Sequence, residues 1–148
     1  MKKISGLLMV ALVVFGCGKD KFKTEPTVEI KSFGPAEVNK GELFTLRADV
    51  TDKEGDVQDA VLLVRKRYNG STQISIDTLR YNIKDFAAPE KPSIEIEAVF
   101  SYGELRDNYI FENLEVQDRN ITVGMIVVDK AGHRSNYAES DKILLKKL

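Results

Sequence analysis

Phe44-Thr45-Leu46-Arg47-Ala48-Asp49-Val50 is the stretch that decides the fold class of this chain. Its apolar residues fall at every second position, with Thr45, Arg47 and Asp49 between them. Successive side chains of a strand leave on opposite faces, so this run presents one face to a core and one to water. The same period recurs in both directions. Val28 and Ile30 alternate with Glu29 and Lys31, and Ile94, Ile96, Ala98 and Phe100 alternate with Glu95 and Glu97. Residues 61–64 and 121–128 are apolar on both faces, which predicts central strands or strands with a covered outer face. Ile74, Ile76, Thr78, Tyr81 and Ile83 predict a further strand or hairpin, and residues 143–145 a closing one. No segment carries a sustained helical stripe. Residues 103–120 fit either a strand with a long loop or a single helical turn.

Turn-forming residues separate these runs: Gly34-Pro35, Lys40-Gly41, Glu54-Gly55-Asp56, Asn69-Gly70, Pro89, Pro92 and Ala131-Gly132. Short strands punctuated in this way point to a sandwich or barrel. Asn69-Gly70 is the strongest hairpin signal, because both residues tolerate positive φ. With 43% hydrophobic and 30% charged residues, the chain is globular rather than disordered. Its 148 residues suit one domain.

The N-terminus has a different character. Lys2 and Lys3 precede an uninterrupted apolar run over residues 7–15. That run is far shorter than the roughly 20 residues needed to span a bilayer, and it matches a secretory signal. Val14-Phe15-Gly16-Cys17 resembles the lipobox of bacterial lipoproteins. The resemblance implies a signal peptide over residues 1–16, cleavage before Cys17, and lipid, palmitate included, on that cysteine. Cys17 is the only cysteine, so an exported chain could form no internal disulfide. Residues 17–26 are polar and end in Pro26, which reads as a tether able to reach roughly 30 Å when extended. By the sorting rule of enteric lipoproteins, Gly18 in place of Asp implies the outer membrane, on its periplasmic or surface face. Loss of residues 1–16 removes two lysines and no acid, taking the formal charge from −1 to −3. A nucleic-acid partner, which needs a basic surface, is not expected.

Three further pieces carry a second resemblance. They are Asn39-Lys40-Gly41-Glu42 ahead of Phe44, the stretch Val50-Thr51-Asp52-Lys53-Glu54-Gly55-Asp56-Val57, and the turn Asp129-Lys130-Ala131-Gly132-His133-Arg134-Ser135. Together they resemble bacterial immunoglobulin-like domains, including fibronectin-type and cadherin-like variants. The resemblance implies an all-β, immunoglobulin-like antiparallel β-sandwich of about seven to eight strands over residues 27–148. Trp and a second cysteine are absent, so the disulfide packing of antibody domains is not expected.

Chemistry is sparse. Asp52, Glu54 and Asp56, with Asp129 at the same end of a sandwich, could offer hard oxygen ligands to Ca²⁺; the other reading is that they cap tight turns. His133 falls in a turn, with no nucleophile motif beside it. Tyr68, Tyr81, Tyr102, Tyr109 and Tyr137 could form a sugar-stacking platform or cap the core. Arg65-Lys66-Arg67 reads as the solvated end of a strand. Asp77-Thr78-Leu79 resembles a bacterial O-glycosylation motif, with Thr78 the acceptor. No cofactor and no catalytic residues are expected. The expectation is a non-enzymatic, membrane-anchored binding or structural module of the cell envelope, with a protein or glycan partner. The alternatives are an accessory glycan-binding module and a calcium-binding adhesion-type domain.

Overall fold

The computed structural model describes residues 25–57, 59–83 and 90–148. Cys17, most of the tether and Pro89 lie outside the described residues. Ten strands run in order: β1 (Thr27–Gly34), β2 (Glu37–Val38), β3 (Leu43–Thr51), β4 (Ala60–Asn69), β5 (Thr72–Asn82), β6 (Ser93–Tyr102), β7 (Ile110–Glu112), β8 (Arg119–Val128), β9 (Ala138–Glu139) and β10 (Ile143–Leu145). No α-helix occurs among the described residues. One sheet has the order β1-β3-β6-β7; the other has the order β2-β10-β8-β4-β5, with β9 pairing on β8. The strand count exceeds the sequence expectation because β2, β7 and β9 are only two or three residues long.

This is an immunoglobulin-like β-sandwich. β1, β3 and β6 of one sheet face β10, β8 and β4 of the other, and β5 extends the second sheet as in variable-type domains. Two short pairs are parallel rather than antiparallel, β2 with β10 and β6 with β7. β7 holds the edge position beside β6, and it runs parallel because residues 103–109 carry the chain back before it pairs, Phe100 with Ile110 and Tyr102 with Glu112. The ambiguous stretch 103–120 thus resolves into this short strand between loops.

The alternating residues meet where the period places them. Phe44, Leu46, Ala48 and Val50 of β3 are buried, opposite Val61 and Leu63 of β4 and Ile121, Val123, Met125 and Val127 of β8. Phe44 and Phe100 stack at 4.7 Å between ring centroids, and Phe33 packs edge-on against both. The outer face of β8 is covered as well. Val128 packs with Ala60, Leu62 and Ile126 in a small second cluster, and the Tyr137 ring lies over Gly124. The two-sided apolar runs are therefore central strands with a covered outer face. Asn69-Gly70 makes the β4–β5 hairpin, with positive φ at Gly70 (60°) but not at Asn69.

Side chains complete the ladder where β9 and β10 leave β8. The Ser140 hydroxyl accepts the Val123 N–H at 3.0 Å, and the Ser135 hydroxyl accepts that of Val127 at 2.9 Å. Asn136 does the same for β1. Its Oδ1 accepts the Val28 N–H, and its Nδ2 donates to the Val28 carbonyl, both at 2.9 Å.

A Cβ at Gly124 would lie 2.1 Å from a Tyr137 ring carbon. Gly124→Ala therefore has to lift the ring off the sheet, with an expected cost of about 1–2 kcal/mol in lost burial and contact with Lys66. In a Tyr137→Ala background the same substitution should be neutral or stabilising, since Gly weakens a strand interior. A double-mutant cycle read by thermal unfolding checks the coupling.

Candidate binding surface

β4 determines what lies inside and outside the larger sheet. Val61, Leu63, Arg65 and Arg67 share its inward face, so the interior changes from apolar to ionic midway along the strand. Arg65 donates to Glu112 at 2.7 Å and to Asp77 at 2.9 Å. Arg67 donates to Asp77 at 3.1 Å and to the other Glu112 oxygen, and contacts Glu115 at 3.2 Å. Glu115 also pairs with buried Arg119 at 3.3 Å. Glu112 is fully buried; burial pushes its carboxyl above the usual carboxylate range, and the charges of Arg65 and Arg67 oppose that. The solvated strand end expected for Arg65-Lys66-Arg67 is thus corrected for both arginines. The signal was present: alternation from Val61 and Leu63 puts 65 and 67 on the core face. The cluster locks the sheets together, since each carboxylate in it is already held by guanidinium groups.

Asp52, Asp56 and Asp129 meet at one end of the sandwich, while Glu54 is exposed. Asp52 accepts the backbone N–H groups of Glu54 and Asp56, at 3.4 and 3.2 Å. Asp129, wholly buried, accepts the His133 N–H at 2.8 Å and meets its ring Nδ1 at 2.8 Å. The Asp52 and Asp129 carboxylates hold turns, as Asp does where it caps a loop, whereas Asp56 Oδ1 is buried without a hydrogen-bond partner. The Asp52 carboxyl, then burial, push the Asp56 carboxyl above its ordinary value. Among the described residues no group of three or more His, Cys, Asp or Glu side chains is arranged to hold a metal ion.

The tyrosines do not form one platform. Tyr102 is in the core, its hydroxyl donating to the Lys146 carbonyl at 2.8 Å and accepting the Glu115 N–H at 3.0 Å. Tyr81 lines a cleft of about 750 Å³ between the sheets, with Val61, Leu63, Ile94 and Ile96, and Tyr109 lies at the same cleft. Tyr68 and Tyr137 share the outer face of the larger sheet, each ring met by an ammonium: Lys142 at 4.2 Å from Tyr68 and Lys66 at 5.0 Å from Tyr137. Glu139 fixes this group, accepting from Lys66 at 2.7 Å and from Thr122 at 2.6 Å.

Beyond that pinned polar group, the outer face runs onto β5, the edge strand. Ile74 and Ile76 point outward there, 50% and 57% exposed, with Thr78 exposed beside them. Their alternation marks a strand but not which of its faces meets solvent. That depended on which of the two alternating faces β5 turns inward, and Asp77 with its arginines takes that face.

No family model matches the chain, and no curated protein matches it. Among solved structures it is similar to Spo0M, a sporulation control protein from Bacillus subtilis, at 12% identity and TM-score 0.44, over 84% of this chain and 50% of that one. It is also similar to a CARDB domain from Pyrococcus furiosus in complex with di-metal ions (15% identity, TM-score 0.35, 84% and 94% coverage). Murine CRIg is a third (11% identity, TM-score 0.34, 84% and 98% coverage). The chain spans half of Spo0M, 31% of a Pseudomonas fluorescens DNA glycosylase chain and 16% of a Listeria innocua β-glucosidase chain. Likenesses this distant carry no statement about activity, ligand or partner, and the fold assignment rests on the strand order itself.

Two outcomes test the site. Glu112→Ala leaves two inward-facing arginines short of an acceptor and should cost about 3 kcal/mol in chemical denaturation, the low end for a broken buried pair because Asp77 and Glu115 remain; Glu112→Gln should cost less. Asp129 raises the His133 imidazole above its ordinary 6.5, by hydrogen bond first and charge second. That contribution is complete below the unfolded value and fades as pH rises through the raised folded one. The stability gap between the parent chain and His133→Ala should therefore be widest near pH 6 and narrow toward alkaline pH, of order the titration range set by linkage. A gap independent of pH would show that the charged imidazole contributes nothing.

Proposed function

We propose that this chain is a non-catalytic, lipid-anchored module of the cell envelope, which binds a protein through the outer face and open edge of its larger sheet. The observation that supports this reading most is β5. It is an eleven-residue strand at the end of the sheet order, with Ile74 and Ile76 half exposed on its outer surface. Exposed strand edges bind extended partners through main-chain hydrogen bonds, with alternate side chains giving specificity. Burying each isoleucine adds up to about 1.5–3 kcal/mol, less what is already covered. The lipobox-like run ending at Cys17 supports anchoring, and the polar residues 17–26 would hold the domain away from the lipid surface. The buried carboxylates are engaged in arginine pairs or turns, which favours binding over catalysis. A glycan reading is less favoured, because the Tyr68 and Tyr137 rings already carry lysines.

The test uses the full chain in its own envelope. Cys17→Ser should abolish incorporation of labelled fatty acid and leave the precursor uncleaved. A photo-crosslinking residue at Ile76 should trap a protein, whereas one at Glu95, exposed on β6 of the other sheet, should not. Lipid labelling that survives in Cys17→Ser overturns the anchor. Equal trapping at both positions, or reproducible substrate turnover lost on mutating one carboxylate of a still-folded chain, overturns the binding role.

A further inference from the structure

The smaller sheet is incomplete along one side. β7 covers only Phe100 to Tyr102 of β6, and among the described residues no strand pairs with that edge from Ser93 to Val99. Ile94, Ile96 and Ala98 therefore look across an open-sided gap at Val61, Leu63, Tyr81 and Ile83, and this gap is the cleft of about 750 Å³ described above. Its size is that of a small-molecule site, roughly 300–1,000 Å³. It follows β6 from Ser93 to Val99, a rise of about 20 Å, so its occupant has to be long and narrow as well as apolar. One end carries charge. Lys91 is the one cation among the described residues that line the cleft, and it forms no ion pair. Glu90, its neighbour in the chain, is held by Lys130 at 2.7 Å. Glu95 and Glu97 border the cleft through their backbone, because the period of β6 turns their carboxylates to the outer face, where Arg47 meets Glu97 at 2.7 Å. Lys91 leads into β6 at the end where Thr27, Thr51 and Ser93 pair side by side. The ammonium thus stands at the end of the sandwich from which the chain runs back toward Cys17.

We infer that this cleft binds a long-chain fatty acid, with its carboxylate at Lys91 and its acyl chain laid along Ile94 and Ile96. The inference draws on the anchor proposed above, which puts acyl chains within reach of this end, and not on the protein-binding edge of β5. The lining calls for an apolar body, since each methylene laid against it leaves water. The ammonium calls for an acid head rather than an alcohol or an ester, because no carboxylate of the chain is already paired with it. Burial raises the Tyr81 hydroxyl above its ordinary value, so the wall of the cleft adds no negative charge to oppose that head.

The test uses the full chain purified in a neutral detergent and irradiated with a palmitic acid analogue that carries a diazirine on its acyl chain. Labelled peptides should come from residues 93–98 and 61–63. Free palmitate should compete for them, and methyl palmitate should do so about five-fold less well, as loss of one charge-assisted hydrogen bond implies. Lys91→Gln should weaken labelling by a similar factor. Ile96→Trp should fill the cleft and remove labelling while the melting temperature holds; should that variant unfold, Lys91→Gln, at an exposed position, decides alone. Equal competition by acid and ester, or labelling indifferent to both substitutions, overturns the inference. Labelling seen only in Cys17→Ser assigns the cleft to the chain's own anchor, and labelling seen only in Phe86→Ala assigns it to residues 84–89; either result overturns it as well. A protein trapped at Glu95 would assign the free edge of β6 to a peptide, with the same consequence. Because the probe is added in detergent, cleft labelling does not depend on Cys17, so failure of the anchor and failure of the cleft are read separately.

Discussion

β4 has only alternate positions to offer the interior, and it fills them with Val61, Leu63, Arg65 and Arg67. Much else in the structure depends on that sequence of four. The first two extend the apolar core that β3 and β8 build. The last two force the sandwich to enclose charge, and the chain answers with Glu112 from β7, Asp77 from β5 and Glu115 from the loop beyond β7. Guanidinium groups suit this task because their planar donor sets can meet two carboxylates at once. β7 is a three-residue strand with little packing of its own, and the ion cluster gives it a fixed seat on the β6 edge.

The same choice determines the outer surface. Because Asp77 turns inward to the arginines, Ile74 and Ile76 must turn outward. Because Lys66 lies between Arg65 and Arg67 in the chain, it emerges on the outer face, where Glu139 and Tyr137 hold it. An ionic interior and a partly apolar exterior at one end of the sheet are thus a single consequence of register. A one-residue shift between β4 and β5 would exchange the two faces, and the ten matched pairs of the hairpin oppose it.

The elements with strict alternation were legible in the sequence. β3, β6 and the start of β1 fall where their period places them, and the two-sided apolar runs became the central strands β4 and β8. Asn69-Gly70 marked its hairpin. The ionic cluster escaped because three successive basic residues look solvated unless the strand's period is carried through them. Asp77 lies across the hairpin, ten residues from Arg67, but Glu112 is 45 residues away, and no local pattern links positions that far apart. β7 was unreadable for a related reason: three residues contain no period. The exposure of β5 was equally hidden, since alternation identifies two faces and only tertiary contacts decide which one meets water.

The Asn136 amide bears on mechanics. It grips both backbone groups of Val28, one residue into the first strand. Tension applied from the N-terminal side reaches this point almost at once. The strand behind it is laddered to β3 from Thr27 to Gly34, so a pull along its axis loads those hydrogen bonds together, whereas a pull across it would open them one by one. The amide attaches the strand on its other edge, through a residue whose own N–H and C=O both face away from β3, so peeling cannot begin by releasing β3 alone. A domain suspended by its N-terminus would thus carry its load through a side chain supplied by the segment just before β9, tying the two ends of the fold into one mechanical unit.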